Sequence, residues 1–454
     1  MPFESRNPAT GALLNRYDEH DADMIEEYIG QTEAVFHTWR DTALTVRAAM
    51  LHAAAAELRS RSDDYARMIT LEMGKPITQS RGEVEKCAWV CDWYADNTER
   101  IFRNEHLESD ASESYVRFDP LGVILAVMPW NFPFWQVFRF AAPALMAGNV
   151  ALLKHASNVP GCAMMIEEVF RRAGIPEGGF RTLMIGSGAV ASVLDHPAVV
   201  AATLTGSEHA GSKVAARAGE RLKKTVLELG GSDPFIVLDD ADIETAARIG
   251  AQSRMINTGQ SCIAAKRFIL TEAAADTFIP QFLREIAGMK IGDPMDPETR
   301  IGAIAREDLL LELDGQVRST IEQGAELLTG GYRVEGPGTF YHPTVLSGVT
   351  KGMTAFDEET FGPVASITVV RDAAEAVDVA NDSLFGLGAS LWTQDRQHAE
   401  TLAARIEAGG VFINGMVKSD PRLPFGGIKN SGYGRELSHY GIREFVNIKT
   451  VWIA

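Results

Sequence analysis

The sequence has 454 residues, of which 46% are hydrophobic and 23% are charged, and its net charge is −18. These fractions are ordinary for a globular protein and exclude a disordered chain, a collagen and a coiled-coil rod. An acidic chain without a basic run is a poor candidate for binding nucleic acid or an anionic membrane. At roughly 150 residues per domain, the length predicts about three domains.

Two features of the sequence predict a cytoplasmic protein. The N-terminus is polar, and no segment reaches the ~18 consecutive apolar residues of a membrane span. The four cysteines, Cys87, Cys91, Cys162 and Cys262, are too few for a disulfide framework. Cys87 and Cys91 are one helical turn apart, but no further ligand completes a metal site, so we expect no bound metal.

The predicted helices and strands divide the chain into successive regions. Residues 20–105 have apolar side chains at helical spacing and are predicted to be helical. Between residues 120 and 230, strands alternate with helices, which is typical of βαβ units in a doubly wound parallel sheet. A second α/β set runs from about 232 to 430. The tail ends in an alternating strand that we expect to pair with another subunit.

The glycine fingerprint of dinucleotide-binding proteins, G-x-G-x-x-G, does not occur in the sequence. One glycine pattern, from Gly206 to Gly211, follows a predicted strand and opens a helix, so its amides could meet a phosphate. A P-loop is disfavoured because the order Gly-Ser-Lys takes the lysine off the phosphate. A plain strand-to-helix turn stays open as the alternative.

Three polar side chains, each at or just after the end of a predicted strand or loop, are candidate catalytic residues. Cys262 ends a small polar loop, Glu228 closes a strand before two glycines, and Asn131 follows a strand. Their ordinary alternatives are an inert thiol, a salt-bridged carboxylate and a helix cap. Together they could add a thiolate to a carbonyl, hold the oxyanion and activate water on a thioester, with a hydride passing to a nicotinamide.

Seven segments together resemble the NAD(P)-dependent aldehyde dehydrogenases, in the family's order and spacing across nearly the whole chain. They are PWNFPFWQ (129–136), LLKHAS (152–157), TGS (205–207), LELGG (227–231), NTGQSC (257–262), EETFGP (358–363) and LPFGGIKNSGYGRE (423–436). The resemblance implies Cys262 as the nucleophile and Glu228 as the base for deacylation. It implies an oxyanion hole formed by Asn131 and the backbone N–H of Cys262.

The resemblance also implies a set of residues that bind the cofactor. They are Trp130 and Leu229 through the backbone, Gly206 and Ser207 at the pyrophosphate, Lys154 at the adenosine ribose, Glu359 at the nicotinamide ribose and Phe361 beside the ring. Ser157 stands where many NAD-preferring members have a glutamate that would repel a 2′-phosphate. We therefore expect NADP to be the preferred cofactor, bound by Lys154 and Ser157, with NAD also accepted. His155 could provide a further donor.

The residues on one face of a predicted helix indicate which aldehyde is the substrate. Phe132, Trp135, Gln136 and Arg139 share this face, which lines the substrate tunnel in the family. The position of Arg139 is arginine in succinate-semialdehyde dehydrogenases, and a buried arginine needs an anion that a substrate carboxylate could supply. An internal salt bridge is the alternative.

The sequence departs from the succinate-semialdehyde branch at two positions. A second arginine is replaced by Ile256, and a serine by Asp420, so Lys418 and Arg422 become candidates to bind the carboxylate. The predicted activity is oxidation of succinate semialdehyde, with glutarate semialdehyde, a hydroxyaldehyde or a non-catalytic scaffold as alternatives. Transfer of the thioester to coenzyme A is disfavoured because it would not need Glu228 as a base.

The resemblance implies three structural regions and a homodimer or a dimer of dimers. The dinucleotide-binding domain would comprise residues 1–101 and 121–230, and the α/β catalytic domain residues 231–433. A β-strand oligomerisation arm would comprise residues 102–120 and 434–454, which would pair across a dimer.

Overall fold

The computed structural model describes residues 2–454, and it is an α/β structure with two large sheets. Its α-helices are α1 (Ala22–Trp39), α2 (Leu44–Ser60), α3 (Ser62–Met73), α4 (Ile77–Ile101), α5 (Trp135–Ala147), α6 (Pro160–Arg172), α7 (Val190–Asp195), α8 (Glu208–Glu220), α9 (Ile243–Met255), α10 (Glu272–Ala287), α11 (Glu307–Glu322), α12 (Thr354–Asp357), α13 (Ala373–Asn381), α14 (Arg396–Ala403) and α15 (Ser438–Ile442). No helix in this range is both long and apolar enough to cross a membrane.

The strands carry the sheet topology. They are β1 (Phe3–Arg6), β2 (Leu13–Tyr17), β3 (Glu105–His106), β4 (Glu113–Pro120), β5 (Val123–Met128), β6 (Val150–His155), β7 (Phe180–Thr182), β8 (Val199–Thr205), β9 (Lys224–Glu228), β10 (Asp233–Val237), β11 (Ala265–Thr271), β12 (Glu326–Thr329), β13 (Thr344–Ser347), β14 (Val364–Val370), β15 (Phe385–Gly386), β16 (Gly388–Trp392), β17 (Gly410–Ile413), β18 (Ile428–Lys429), β19 (Gly432–Tyr433) and β20 (Val446–Ile453).

The first large sheet is the doubly wound sheet predicted for residues 120–230. Its strand order is β19-β9-β8-β5-β6-β7, and every pair is parallel except β19 with β9. The central strand β5 reads VILAVM and is almost entirely buried, as expected for a parallel strand covered on both faces. The chain places β6 and β7 on one side of β5 and then places β8 and β9 on the other side. Ligands bind at the carboxyl edge of such a switch point.

The second large sheet has the order β12-β13-β14-β11-β10-β16-β17 and is parallel except for β12 with β13. Helix α9 connects β10 to β11, and the predicted nucleophile Cys262 lies between this helix and β11. The carboxyl end of α9 therefore fixes where the thiol is presented. This sheet corresponds to the second α/β set of the sequence, while the exact domain boundaries stay a prediction.

The C-terminal strand β20 has a partner within the same chain. It pairs with β4 in antiparallel register along its whole length, from Val446 opposite Pro120 to Ile453 opposite Glu113. The expectation that this strand has no partner in its own region is therefore wrong, because the two predicted arm segments pair with each other within the chain. Its pairing with another subunit stays a prediction. In this three-stranded sheet of order β20-β4-β3, β20 is an edge strand.

Candidate active site

The loop that carries Cys262 has an unusual backbone. Asn257 and Thr258 have φ angles of 53° and 57°, and Gly259 follows with a φ of 76°. A Cβ on Gly259 would come 2.1 Å from the carbonyl oxygen of Gly362, so only glycine fits. The buried guanidinium of Arg254 donates to the carbonyl oxygens of Gly259 and Thr360, at 3.3 and 3.1 Å. The fold thus holds this loop in one defined conformation.

Cys262 lies at the junction of two cavities. The cavity of about 320 Å³, called here the cysteine cavity, is lined by Cys262, Lys86, Trp135, Gln136, Arg139 and Ser419 among others. An adjacent cleft of about 190 Å³ also contains Cys262. Burial raises the pKa of the Cys262 thiol to about 12, although Arg139 and Lys266 lower it. The thiol is therefore protonated near neutral pH and needs a base before it can attack.

A buried lysine fixes the thiol loop to the adjacent cleft. The Lys266 ammonium donates to the carbonyl oxygens of Ser261 and Cys262, both at 2.9 Å. The same ammonium is ion-paired with Glu359 at 3.1 Å. Glu359 also accepts a hydrogen bond from the backbone N–H of Gly231 at 3.1 Å. These contacts couple the cleft carboxylate to the position of the thiol.

Glu228 ends β9 with its side chain only 1% exposed. Neither of its carboxylate oxygens has a hydrogen-bond partner among residues 2–454. Burial raises its pKa to about 8, while Arg139 opposes this shift and Glu436 adds to it. A carboxylate with a pKa near neutrality can both take and release a proton, as a general base must. Its charge also raises the pKa of Cys262, so the two groups interact.

Asn131 lines the adjacent cleft together with Cys262. Its side-chain amide donates to the carbonyl oxygen of Gln260 at 3.2 Å, and its own carbonyl accepts from the side chain of Asn257 at 2.7 Å. It does not cap α5, because the carboxylate of Glu83 accepts from the first backbone N–H groups there. The second amide hydrogen of Asn131 is available to a ligand.

The adjacent cleft gathers most of the residues expected to bind a cofactor. They are Trp130, Gly206, Ser207, Leu229, Glu359 and Phe361. Ser207 caps α8, since its hydroxyl accepts from the backbone N–H of Ala210 at 3.3 Å. The rings of Trp130 and Phe361 meet edge to face with centroids 5.7 Å apart. A helix N-terminus and an aromatic wall suit a phosphate and a planar ring, respectively.

Lys154 and Ser157 lie where β6 ends, beside the carboxyl end of β5. No carboxylate among the described residues forms an ion pair with Lys154, and burial lowers its pKa. The Ser157 side chain is exposed. His155 is different, because its Nε2 donates to the carbonyl of Pro133 and its Nδ1 accepts from Ala156, both at 2.9 Å. Burial lowers the pKa of His155 to about 4, and both nitrogens of its neutral ring already have partners, so the expectation that it donates to a cofactor is wrong.

All four residues of the predicted tunnel face, Phe132, Trp135, Gln136 and Arg139, line the cysteine cavity. Arg139 is nevertheless ion-paired with the buried carboxylate of Glu436. Its guanidinium also donates to the hydroxyl of Thr205 at 3.3 Å. The internal salt bridge is therefore the correct alternative. The expectation that Arg139 depends on a substrate for its counter-ion is wrong.

Arg422 does not line the cysteine cavity among the residues that the structure describes. Its guanidinium donates to the carboxylate of Asp420 at 2.8 and 2.6 Å, and 63% of its side chain is exposed. The expectation that Arg422 binds the substrate is therefore contradicted, because its charge is neutralised at the surface.

Sequence reasoning missed several residues of the cysteine cavity, Lys86 and Ser419 among them. Ser419 had a signal, since the resemblance called for a serine one position later, at Asp420. Lys86 had none, because it lies within the long helix α4, far along the chain from the thiol loop.

The sequence of the chain matches that of the aldehyde dehydrogenase family over residues 1–451. The chain belongs to the aldehyde dehydrogenase family. A probable NADP(+) succinate-semialdehyde dehydrogenase of Synechocystis is 50% identical over 100% of both chains. A succinate semialdehyde dehydrogenase [NAD(P)+] of Escherichia coli is 51% identical over 99% of this chain and 97% of its own.

Solved structures of aldehyde dehydrogenases have the same fold. The succinic semialdehyde dehydrogenase of Streptococcus pyogenes, crystallised with NADP+, superposes with a TM-score of 0.97 at 40% identity, over 99% of each chain. The α/β fold expected from the resemblance is thereby confirmed.

Proposed function

We propose that this aldehyde dehydrogenase oxidises succinate semialdehyde to succinate with NADP as the preferred cofactor and NAD as a second one. The observation that carries the proposal is the position of Cys262 between a cavity with cationic walls and a cleft suited to a nucleotide. The names of the relatives that are about half identical to the chain support the same substrate.

The charges of the cysteine cavity support an aldehyde that carries an anion. The charged residues that line it are three cations, Lys86, Arg139 and Lys418, and one carboxylate, Glu83, which is ion-paired with buried Lys75. A cationic aldehyde would therefore be repelled, whereas a carboxylate would be attracted. The cavity of about 320 Å³ accommodates a four-carbon chain with its aldehyde carbon at the thiol.

The donor set of the cleft fits NADP. Ser207 and the amides of α8 would hold the pyrophosphate, and Glu359 would hold the nicotinamide ribose. The Lys154 ammonium, free of ion pairs among the described residues, and the Ser157 hydroxyl would bind the 2′-phosphate. When bound, NADP supplies the oxidising capacity, because its nicotinamide accepts the hydride that the aldehyde carbon loses.

The residues of this chain would supply the remaining chemistry at Cys262. Glu228 takes the thiol proton, the sulfur bonds to the aldehyde carbon, and the amide of Asn131 with the backbone N–H of Cys262 stabilises the oxyanion. Loss of the hydride leaves a thioester. Glu228 releases the thiol proton to solvent and then deprotonates a water molecule, whose oxygen bonds to the carbonyl carbon of the thioester. The carbon–sulfur bond then breaks to release succinate and the thiolate.

We also propose a cytoplasmic homodimer or dimer of dimers. All four cysteines are free thiols, and three of them are buried. The edge strand β20 exposes Ile448, Trp452 and Ile453 on the arm sheet, an arrangement that strand pairing or packing between subunits would cover. Sedimentation equilibrium tests this proposal, since a monomer at micromolar concentration would contradict it.

Initial rates of cofactor reduction test the main proposal. We expect kcat/KM for succinate semialdehyde to exceed that for butanal about 10- to 100-fold, since hydrogen bonds to a charged group contribute roughly 1.5–3 kcal/mol. Glutarate semialdehyde and a hydroxyaldehyde are measured in parallel, with NADP and NAD. A higher kcat/KM for either alternative would contradict the substrate assignment. Binding of NADP without turnover of any aldehyde would indicate a scaffold.

A further inference from the structure

Lys86 is a cation of the cysteine cavity that has no carboxylate partner. It lies on α4, and its ammonium donates to the hydroxyl oxygen of Ser419 at 2.7 Å. The ammonium also lies 4.2 Å from the centroid of the Trp135 ring. Among residues 2–454, no carboxylate forms an ion pair with it within 4.0 Å, although it lines the cavity.

The charged groups around Lys86 are neutralised by other partners. Glu83, one helical turn earlier, is ion-paired with Lys75 and accepts the backbone N–H groups of Phe134 and Trp135. Asp420 is ion-paired with Arg422 at 2.6 Å. Arg139 is ion-paired with Glu436. Lys86 therefore contributes a positive charge without an ion pair to a partly buried wall of the cavity, which exposed Lys418 also lines.

The hydrogen bonds at Ser419 leave donors directed at a ligand. The hydroxyl oxygen of Ser419 accepts from Lys86 and, at 3.1 Å, from the indole N–H of Trp135. Since both bonds use its oxygen as acceptor, its own hydrogen can be donated elsewhere. The Lys86 ammonium has three hydrogens and donates one of them to Ser419. A group with several acceptor oxygens and a negative charge matches this set.

We propose that Lys86, together with the hydroxyl of Ser419, binds the carboxylate of the substrate and selects aldehydes that carry one. The inference rests on the proposed function. It places the residue that selects the substrate on helix α4. Arg139 keeps a structural and electrostatic role, because its charge is already balanced by Glu436.

The pKa of Lys86 agrees with a role in binding the substrate carboxylate. Burial lowers the pKa of its ammonium to about 8, and the charge of Arg139 lowers it further in the same direction. A carboxylate beside the ammonium would favour the charged form, so binding and protonation support each other. A neutral aldehyde would gain nothing from this cation.

Kinetics of the variant Lys86→Met test the proposal, since methionine keeps much of the side-chain length and removes the charge. We expect KM for succinate semialdehyde to rise about 10- to 100-fold, and the ratio of its kcat/KM to that for butanal to fall by the same factor. Lys86→Arg should keep most of the affinity. Arg81→Met is the matched control, because it removes an exposed cation of the same helix that is paired with Asp63.

Two outcomes are distinguishable. If wild type shows no preference for succinate semialdehyde over butanal, the proposed function fails. If wild type shows that preference and Lys86→Met retains it, this inference alone is overturned. Inhibition by succinate gives a second readout, and we expect its inhibition constant to rise in Lys86→Met and in Ser419→Ala. Ser419→Ala also keeps the test decisive if Lys86→Met does not fold.

Discussion

Arg139, which lines the cysteine cavity, forms a buried ion pair with Glu436. Both charges act on Glu228, because Arg139 lowers the pKa of that carboxyl and Glu436 raises it. The pair joins α5 to the segment that follows β19, and it therefore links the stability of the fold to the protonation of the proposed base.

Removing one partner of this pair should destabilise the protein. Glu436→Gln leaves the Arg139 guanidinium buried without a counter-ion, and we expect the free energy of unfolding to fall by about 3–5 kcal/mol. Glu400→Gln is the control, since Arg396 and Glu400 form an exposed pair on α14. That change should cost below about 0.5 kcal/mol. Urea unfolding measures both, and equal losses would contradict the account.

The rate of thioester hydrolysis should follow the protonation of Glu228. Because its pKa is raised to about 8 by burial, the rate should rise with pH up to about 8 and then level off. Glu228→Gln should lower the hydrolysis rate about 10²- to 10⁴-fold and abolish this rise. Single-turnover rates across the pH range measure the effect.

The same profile should move when the neighbouring charges are changed. Arg139→Met should shift it to higher pH, because the guanidinium that favours the ionised carboxylate is lost. Glu436→Gln should shift it to lower pH for the opposite reason. A profile that stays in place in both variants would show that Glu228 is not the titrating group.

The preference for succinate semialdehyde should weaken above about pH 8. There the Lys86 ammonium loses its proton in the free enzyme, in surroundings that include Glu83, Cys87, Arg139 and Asp420. The ratio of kcat/KM for succinate semialdehyde to that for butanal cancels the groups that both substrates need. We expect this ratio to fall with rising pH in wild type and to be flat in Lys86→Met.

Cofactor choice should depend on the residue at position 157. Ser157→Glu places a carboxylate beside the site proposed for the 2′-phosphate, and like charges there repel. We expect kcat/KM with NADP to fall about 100-fold or more, and the value with NAD to change less than about threefold. Ser212→Glu, an exposed position on α8, is the control for added negative charge. Equal losses with both cofactors would contradict the assignment.

The conformation of the thiol loop should not tolerate a side chain at Gly259. Gly259→Ala would combine a φ of 76° with a contact of 2.1 Å to the Gly362 carbonyl oxygen, so we expect a loss above about 3 kcal/mol. Gly315→Ala is the control, because this glycine lies in α11 with no atom near its missing Cβ. That variant should gain about 0.5–1 kcal/mol. Thermal unfolding compares them.

The doubly wound sheet and the expected nucleophile could be predicted because their signals are local. Strands such as β5 are short apolar runs between amphipathic helices, and parallel strands end at one edge. Asn131 follows β5 at the carboxyl edge of the first sheet, and Cys262 precedes β11 at the amino edge of the second sheet. The two residues nevertheless line one cleft.

The remaining features depend on contacts between distant parts of the chain. Nothing in the local sequence indicates that Glu436 pairs with Arg139 or that β4 pairs with β20. Lys86 lies on a helix that the sequence assigns to a helical region outside both sheets, so only the packing of α4 against α5 brings it to the thiol cavity.

The most direct test of the central claim is the intact mass of Glu228→Gln after incubation with succinate semialdehyde and NADP. We predict a slow increase equal to one succinyl group, mapped by peptide analysis to Cys262. Without Glu228 the thiol must lose its proton to solvent, which slows formation of the thioester, but hydrolysis of the thioester is blocked and the adduct therefore accumulates. The increase should be absent without NADP. Reduction of NADP at the wild-type rate with no adduct on Cys262 would contradict the account.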